Sequence, residues 1–541
     1  MMTDLRIWRA GTRKDEAAAA GERRRPWWVW AAPAVVILVT LLARNSDLFT
    51  RRFYESEDYG ADSILVEQAR HFNLLIGNYS RDFFNHPGPA YLYVQAAGQT
   101  VLYNMLHLVP TAWNGQVIAL YALDSLLVGL AVFVVYGWTG YRGALATTAV
   151  LLGFSVLHTG VLSAAWLPYQ DVPAFALFLL AAGSVAAGRG RDAWIAALAG
   201  WLLIHRYAAM LLFVPLLTVV VLVLVVWPHR RRLRAALRDL MHAPSVWVPT
   251  VIVSALFALP IVLDLILHWP GQFGKYIAYD RSSKSGGHNL ATIVHYVIWF
   301  WGPGTSAWVV IPALSLAAIG AALLTKAPLR RYLVALLILN AVTSVALFYY
   351  ATNGIDEINE EYIGYFYWSV PMVAVLVIVI AVIAALPGLL TSRAVPAIAA
   401  CAAVAAAAVF AVVPGTRTST AYVDPEFEKG PGGATDPALP GVVRTVATDA
   451  HGATVVIYLE QPAWAAMTGF VAQAERTGVP VCLANPWWTF MVTSQFICTP
   501  SEVANGANFI FLPTGTPARH TVARLESAII ATYFPQPGHS S

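Results

Sequence analysis

The chain has 541 residues, of which 58% are hydrophobic and only 12% charged, with 19 tryptophans. A soluble protein of this length needs far more charge to cover its surface, so most of the chain must face lipid or other helices. The formal net charge is +4, and the basic runs abut apolar spans instead of forming a stripe interleaved with aromatics, which excludes a nucleic-acid partner.

Residues 1–26 are polar and carry Arg6, Arg9, Arg13, Lys14 and Arg23 before an apolar run opened by Trp27, Trp28 and Trp30. That pattern predicts a cytoplasmic tail, an interfacial aromatic belt and a first span over 27–44 that exits outward. The next apolar stretch, 88–108, decides the topology. If it spans, the basic segments at Arg142, 188–191, 229–234 and 326–331 fall mostly outside; if it lies along the outer interface, all four fall inside. The positive-inside rule selects the second solution, and Gln95, Gln99, Asn104 and His107 suit an interface better than a bilayer centre.

Further spans follow at 116–137, 142–161, 171–187, 192–207, 208–227, 246–267, 304–324, 332–350, 363–386 and 395–413. No internal repeat is evident, which weakens an inverted-repeat transporter reading. Residues 414–541 change character, with strands at 453–459 and 479–483, a helix at 462–477 and a second helix at about 517–534. No Gly-rich phosphate loop follows the first of these strands, which argues against nucleotide binding. The expected architecture is an all-α polytopic membrane protein of about eleven transmembrane helices, with outer juxtamembrane helices within 45–115. Its domains are a tail 1–26, a membrane domain 27–413 and a small extracytoplasmic α/β domain 414–541. Cys401 lies in an apolar run and reads as inert, whereas Cys482 and Cys498 can pair if 414–541 is extracytoplasmic.

The chemistry concentrates in 54–93. Glu55, Glu57, Asp58 and Asp62 form an acidic turn just beyond the first span, where charge is costly unless paired or hydrated. Asp62 could cap a helix over 63–76. Glu57 and Asp58 adjoin the span, where partial desolvation lifts a carboxylate toward the range useful to a general base. Asp171, after Trp166-Leu167-Pro168-Tyr169-Gln170, is either a helix cap or a second carboxylate facing a sugar or a shared metal. His205-Arg206 interrupts an apolar run, as a site component or as interhelical hydrogen bonding. The loop 268–296 adds Lys275, Arg281, Lys284, His288 and His295, against the charge rule for outer loops; it suits a phosphate or pyrophosphate, or anionic lipid head groups. Asp356, Glu357, Glu360 and Glu361 form an acidic outer loop that reads as solvated surface or as the wall of an acceptor site. HExxH and GxSxG are absent, so metalloprotease and serine-hydrolase chemistry have little support. A divalent metal ion fits the residue types, but no ligand spacing identifies one.

The acidic motif after the first span, Ser80-Arg81, Asn85-His86-Pro87-Gly88-Pro89-Ala90-Tyr91 and Trp166-Leu167-Pro168-Tyr169 together resemble bacterial GT-C membrane glycosyltransferases. The nearest branch is that of protein O-mannosyltransferases and lipid A aminoarabinose transferases. The resemblance is strongest over roughly 27–230 and departs in the acidic motif, where Glu57-Asp58 and a separate Asp62 replace a single Asp-centred element. It implies a site on the outer face of the bacterial plasma membrane, a polyprenyl-phosphate-linked sugar donor, and a glycan, lipid or protein acceptor. It also implies inversion at the anomeric carbon, with Asp58 or Glu57 as general base. Candidates for binding donor and acceptor are Asp62, Arg81, His86, Tyr169, Asp171, His205, Arg206, Lys275, Arg281, Lys284 and His288. Two other readings stay open: a transporter or flippase of a lipid-linked glycan, and an envelope scaffold acting through 414–541.

Overall fold

Seven helices among the described residues are long and apolar enough to cross a membrane: Ala112–Thr139, Leu167–Ala186, Met210–Arg231, Pro244–Leu267, Ala307–Leu324, Leu329–Asn353 and Glu361–Ala385. They belong to a computed structural model that describes residues 25–158, 160–232, 238, 241–282, 287–302, 306–385 and 435–534. Each occupies a predicted span. Three more predicted spans appear as the shorter helices Trp28–Arg44, Tyr141–Leu157 and Ala193–Arg206, below the ~20 residues that cross a bilayer unaided. The predicted span 395–413, with Cys401, lies outside the described residues.

Leu167–Ala186 is apolar all round and buried along nearly its whole length, which makes it the central helix of the bundle. Pro244–Leu267 and Ala307–Leu324 instead expose Val251, Leu256, Ile266, Val309, Leu316 and Leu323, a surface that suits lipid.

The 88–108 segment is not among the membrane-crossing helices. It forms the α-helix Ala90–Gly98 and then a π-helical turn over Gln99–Met105. Its polar side is buried: Gln99 Nε2 donates to Glu67 Oε1 at 2.6 Å, and Gln116 Nε2 donates to Gln99 Oε1 at 2.8 Å. Val101, Met105, Leu106 and Leu108 are exposed, the division of faces expected of a helix lying along an interface. Gly98 is required here, since a Cβ on it would sit 2.4 Å from the Gly115 carbonyl oxygen.

The acidic segment differs from its expected form. Asp62 does not cap a helix over 63–76; the helix runs Glu57–Arg70, so Asp62 lies within it and is buried. Glu57 and Asp58 occupy the first turn, where carboxylates complement the helix dipole.

The C-terminal region is an α/β unit around a five-stranded sheet of order β2-β1-β3-β5-β4: β1 Val455–Leu459, β2 Val481–Leu483, β3 Ala507–Pro513, β4 Thr521–Arg524 and β5 Ala528–Thr532. β1 pairs in parallel with β2 and β3, whereas β5 pairs antiparallel with β3 and β4. The expected helix at 517–534 is therefore two strands. Ile529 and Ile530 are β-branched and suit β5, which pairs with β3, and Val522 suits β4, which pairs with β5. Cys482 and Cys498 are disulfide-bonded, closing the loop that carries Trp487, Trp488 and Phe490. The unit is seated on the Glu57–Arg70 helix: Ala61 and Ile64 share an apolar core with Met467, Phe470, Val471 and Phe511.

Candidate active site

At one end of the bundle the Glu57–Arg70 helix, the elbow 78–86, the start of Leu167–Ala186 and the 354–363 segment enclose a cavity of about 350 Å³. Its walls carry Glu57, Asp58, Asp62, Arg81, Asp82, His86 and Asp171, with Tyr79, Tyr207, Tyr362 and Trp464.

Asp58 is the most precisely held carboxylate. Tyr79 donates its hydroxyl to Oδ1, and Trp166 Nε1–H donates to Oδ2 at 2.9 Å. Tyr79 and Trp166 thus fix one donor on each carboxylate oxygen. Burial, and then the adjacent Asp58 charge, push Glu57 up to about 7. Its backbone is left-handed at φ 54°, a conformation uncommon for a residue with a Cβ. The Glu57 carbonyl accepts from Thr468 Oγ1 at 2.9 Å.

Asp62 accepts from Asn78 Nδ2. Burial pushes it up to about 7; Arg206 and the Asn78 hydrogen bond pull down, and Asp58 pushes up. A carboxyl whose folded pKa exceeds its unfolded value binds more protons when folded, so it erodes stability as pH rises from about 4 to 7. Asp62→Asn should therefore raise the melting temperature, with a gain that grows between pH 5 and pH 8. A thermal melt of purified protein with the opposite trend would show that Arg206 attraction outweighs burial.

Arg81 supplies the cavity's guanidinium; among the described lining residues there is no other arginine or lysine. It contacts Asp356 at 2.7 Å, Glu357 at 3.2 Å and Glu360 at 4.0 Å. The acidic segment read as solvated surface is therefore the partner of the site's cation. His86 Nδ1 accepts the Ala208 N–H at 3.2 Å, and burial, then Arg206, lower its pKa to about 3. It enters the site as a neutral imidazole.

Several expected site residues stand behind the cavity. Arg206 is fully buried, donating to Gln170 Oε1 at 2.5 Å and Asn78 Oδ1 at 3.5 Å and lying over the Tyr91 ring. His205 receives the Ala90 N–H at Nδ1, 3.3 Å, and sits 2.7 Å from the Phe257 carbonyl through Nε2. The His-Pro-Gly-Pro elbow packs directly on it, since a Cβ on Gly88 would fall 2.3 Å from His205 Nδ1. Tyr169 packs among Trp166, Tyr365 and Trp368. Asp171 does reach the cavity, and its Oδ1 has no hydrogen-bond partner among the described residues. It is not a cap: the helix begins at Leu167, one turn earlier.

The basic loop 268–296 contains the helix Gly271–Ser282, which does not deliver the expected cations. Lys275 and Arg281 are exposed and do not line the cavity, because that helix turns Tyr276 and Tyr279 inward against Phe84. His288 contacts the Ile355 carbonyl at 2.9 Å through Nε2, and Lys284 lies outside the described residues. Sequence reasoning missed Tyr79, Asn78, Asp82, Tyr207, Tyr362 and Trp464 as lining residues. Tyr79 stands 21 residues from Asp58, and no spacing marks the two as partners.

Two solved structures share this arrangement of helices. ArnT from Cupriavidus metallidurans in the apo state superposes with a TM-score of 0.53 at 15% identity, covering 93% of this chain and 97% of that one. The same protein bound to undecaprenyl phosphate gives 0.53 at 16% identity, over 93% and 98%. The chain has the ArnT fold. No family profile and no curated protein sequence matches it, so the likeness lives in the backbone. The GT-C resemblance is borne out at that level, including the small C-terminal sheet region.

Proposed function

We propose that the protein is a glycosyltransferase that moves a sugar from a polyprenyl-phosphate donor to an acceptor hydroxyl on the outer face of the membrane. The observation that carries this reading is the convergence of Asp58, Glu57, Asp62 and Arg81 on one cavity at the end of an ArnT-like bundle. An ArnT chain with this fold holds undecaprenyl phosphate, which supports the donor class. The distribution of basic loops supports the outer face. Asp58 takes the proton from the acceptor hydroxyl while that oxygen attacks the anomeric carbon opposite the phosphate. The carbon–oxygen bond to phosphate breaks with its electron pair on the leaving group, and configuration inverts. Arg81 faces the charge gathering on that phosphate, exchanging its carboxylate partners for it. Asp171, which lines the same cavity, is placed beside the sugar.

The test is transfer by purified protein in detergent, from lipid-linked sugars to cell-envelope extract. A new glycosidic bond formed without any membrane gradient supports the enzyme. Vectorial movement of lipid-linked glycan in proteoliposomes, with no new bond, replaces it with a flippase.

A further inference from the structure

Resting on that reading, we propose that the C-terminal α/β unit is a positioning element of the active site, with Thr468 setting where the Glu57-Asp58 pair stands. Nothing in the chemistry of transfer requires a soluble sheet domain, yet this one touches the carboxylate helix along its length. Asp436 N–H donates to the Tyr54 carbonyl at 2.8 Å just ahead of the acidic motif. Thr468 Oγ1 then lies 2.9 Å from the Glu57 carbonyl, at the residue whose left-handed φ turns the chain into the helix, and shares its hydroxyl proton between that carbonyl and the Ala465 carbonyl at 3.0 Å. One turn further on, Gly60 and Gly469 meet backbone to backbone: a Cβ on Gly60 would lie 2.7 Å from Gly469 N, and one on Gly469 would lie 2.6 Å from the Glu55 carbonyl oxygen. Arg476 bridges Glu55, ahead of the helix, at 2.5 Å and Glu67, in its last turn, at 2.8 Å, and Gln68 Nε2 beside it reaches Thr493 Oγ1 at 2.7 Å.

Five contacts therefore register the two pieces: a backbone hydrogen bond, a hydroxyl on the Glu57 carbonyl, a glycine-on-glycine approach, a buried ion triad and a side-chain hydrogen bond. Strained backbone persists only where its surroundings over-determine it, and the Thr468 hydroxyl is the contact made at the strained residue itself. The same helix, Trp464–Thr477, begins with the Trp464 that lines the cavity. Misplacing a reacting group by 1 Å costs on the order of 100-fold in rate. The predicted signature is a loss in turnover with donor binding unchanged.

Thr468→Val keeps the shape and deletes the hydrogen bond; Thr468→Ser keeps the bond. In the detergent transfer assay, Thr468→Val should lower kcat by about 10- to 100-fold with the donor KM within about two-fold of wild type, and Thr468→Ser should recover most of the loss. Should Thr468→Val fail to fold, Thr468→Ala, which removes the same hydroxyl with a smaller side chain, is read the same way. An active wild type matched by Thr468→Val in kcat overturns the inference alone, as does a loss that Thr468→Ser shares equally. A wild type without transfer overturns the proposed function, and this inference with it.

Discussion

Asp58→Asn should express and melt like wild type yet lose transfer by about 10²–10⁴-fold, the usual contribution of a positioned general base. Asn keeps one oxygen to accept from Tyr79 or Trp166 but cannot take a proton. Transfer at the wild-type rate from a purified lipid-linked sugar would remove Asp58 from the mechanism. Glu57 is the built-in comparison, because its pKa of about 7 matches the range in which a base works best. If Glu57 is the base, Glu57→Gln abolishes transfer, Asp58→Asn spares it, and the wild-type rate climbs with pH through about 7 as Glu57 loses its proton. The two variants, assayed side by side, assign the role.

Arg81→Ala should reduce kcat by about 10²–10³-fold, the range for removing one electrostatic contact to developing charge. Its carboxylate contacts are partly exposed, and such pairs contribute only about 0–1 kcal/mol to stability. Melting temperature should therefore hardly move while turnover collapses. Arg81→Lys should recover only part of the rate, since an ammonium lacks the planar fork that engages two phosphate oxygens. A kcat unchanged in Arg81→Ala would leave the leaving phosphate to cations elsewhere, and Lys275 or Arg281 would return as candidates.

The membrane helices were legible because lipid imposes long apolar runs that sequence cannot disguise, and the distribution of basic residues alone is enough to take 88–108 off the list of spans. The carboxylate cluster was legible for a related reason, since charges beside an apolar span need a purpose. Three parts escaped. Helix limits in 54–76 followed from packing against Trp464–Thr477, which no local capping pattern encodes, so Asp62 looked like a cap when it is a buried helix residue. Charge distribution reports only the side of the membrane on which a cation lies, whereas helical phase points Tyr279 inward and leaves Lys275 and Arg281 exposed. Arg81 and Asp356 are 275 residues apart, and no period or motif links such positions. At β4 and β5 the apolar residues Ile529 and Ile530 are adjacent, a short run whose strand or helix state depends on the neighbour it pairs with.

The apolar cluster joining Ala61 and Ile64 to Met467, Phe470 and Phe511 has a consequence for how such a gene can change. A tail whose hydrophobic centre is completed by a helix some four hundred residues upstream is not a cassette. Recombination that exchanges this tail between paralogues would leave an unfilled socket on one parent and a bare greasy knob on the other. Inheritance of the two pieces is thereby coupled, and drift on either face of the contact has to be answered on the opposite one.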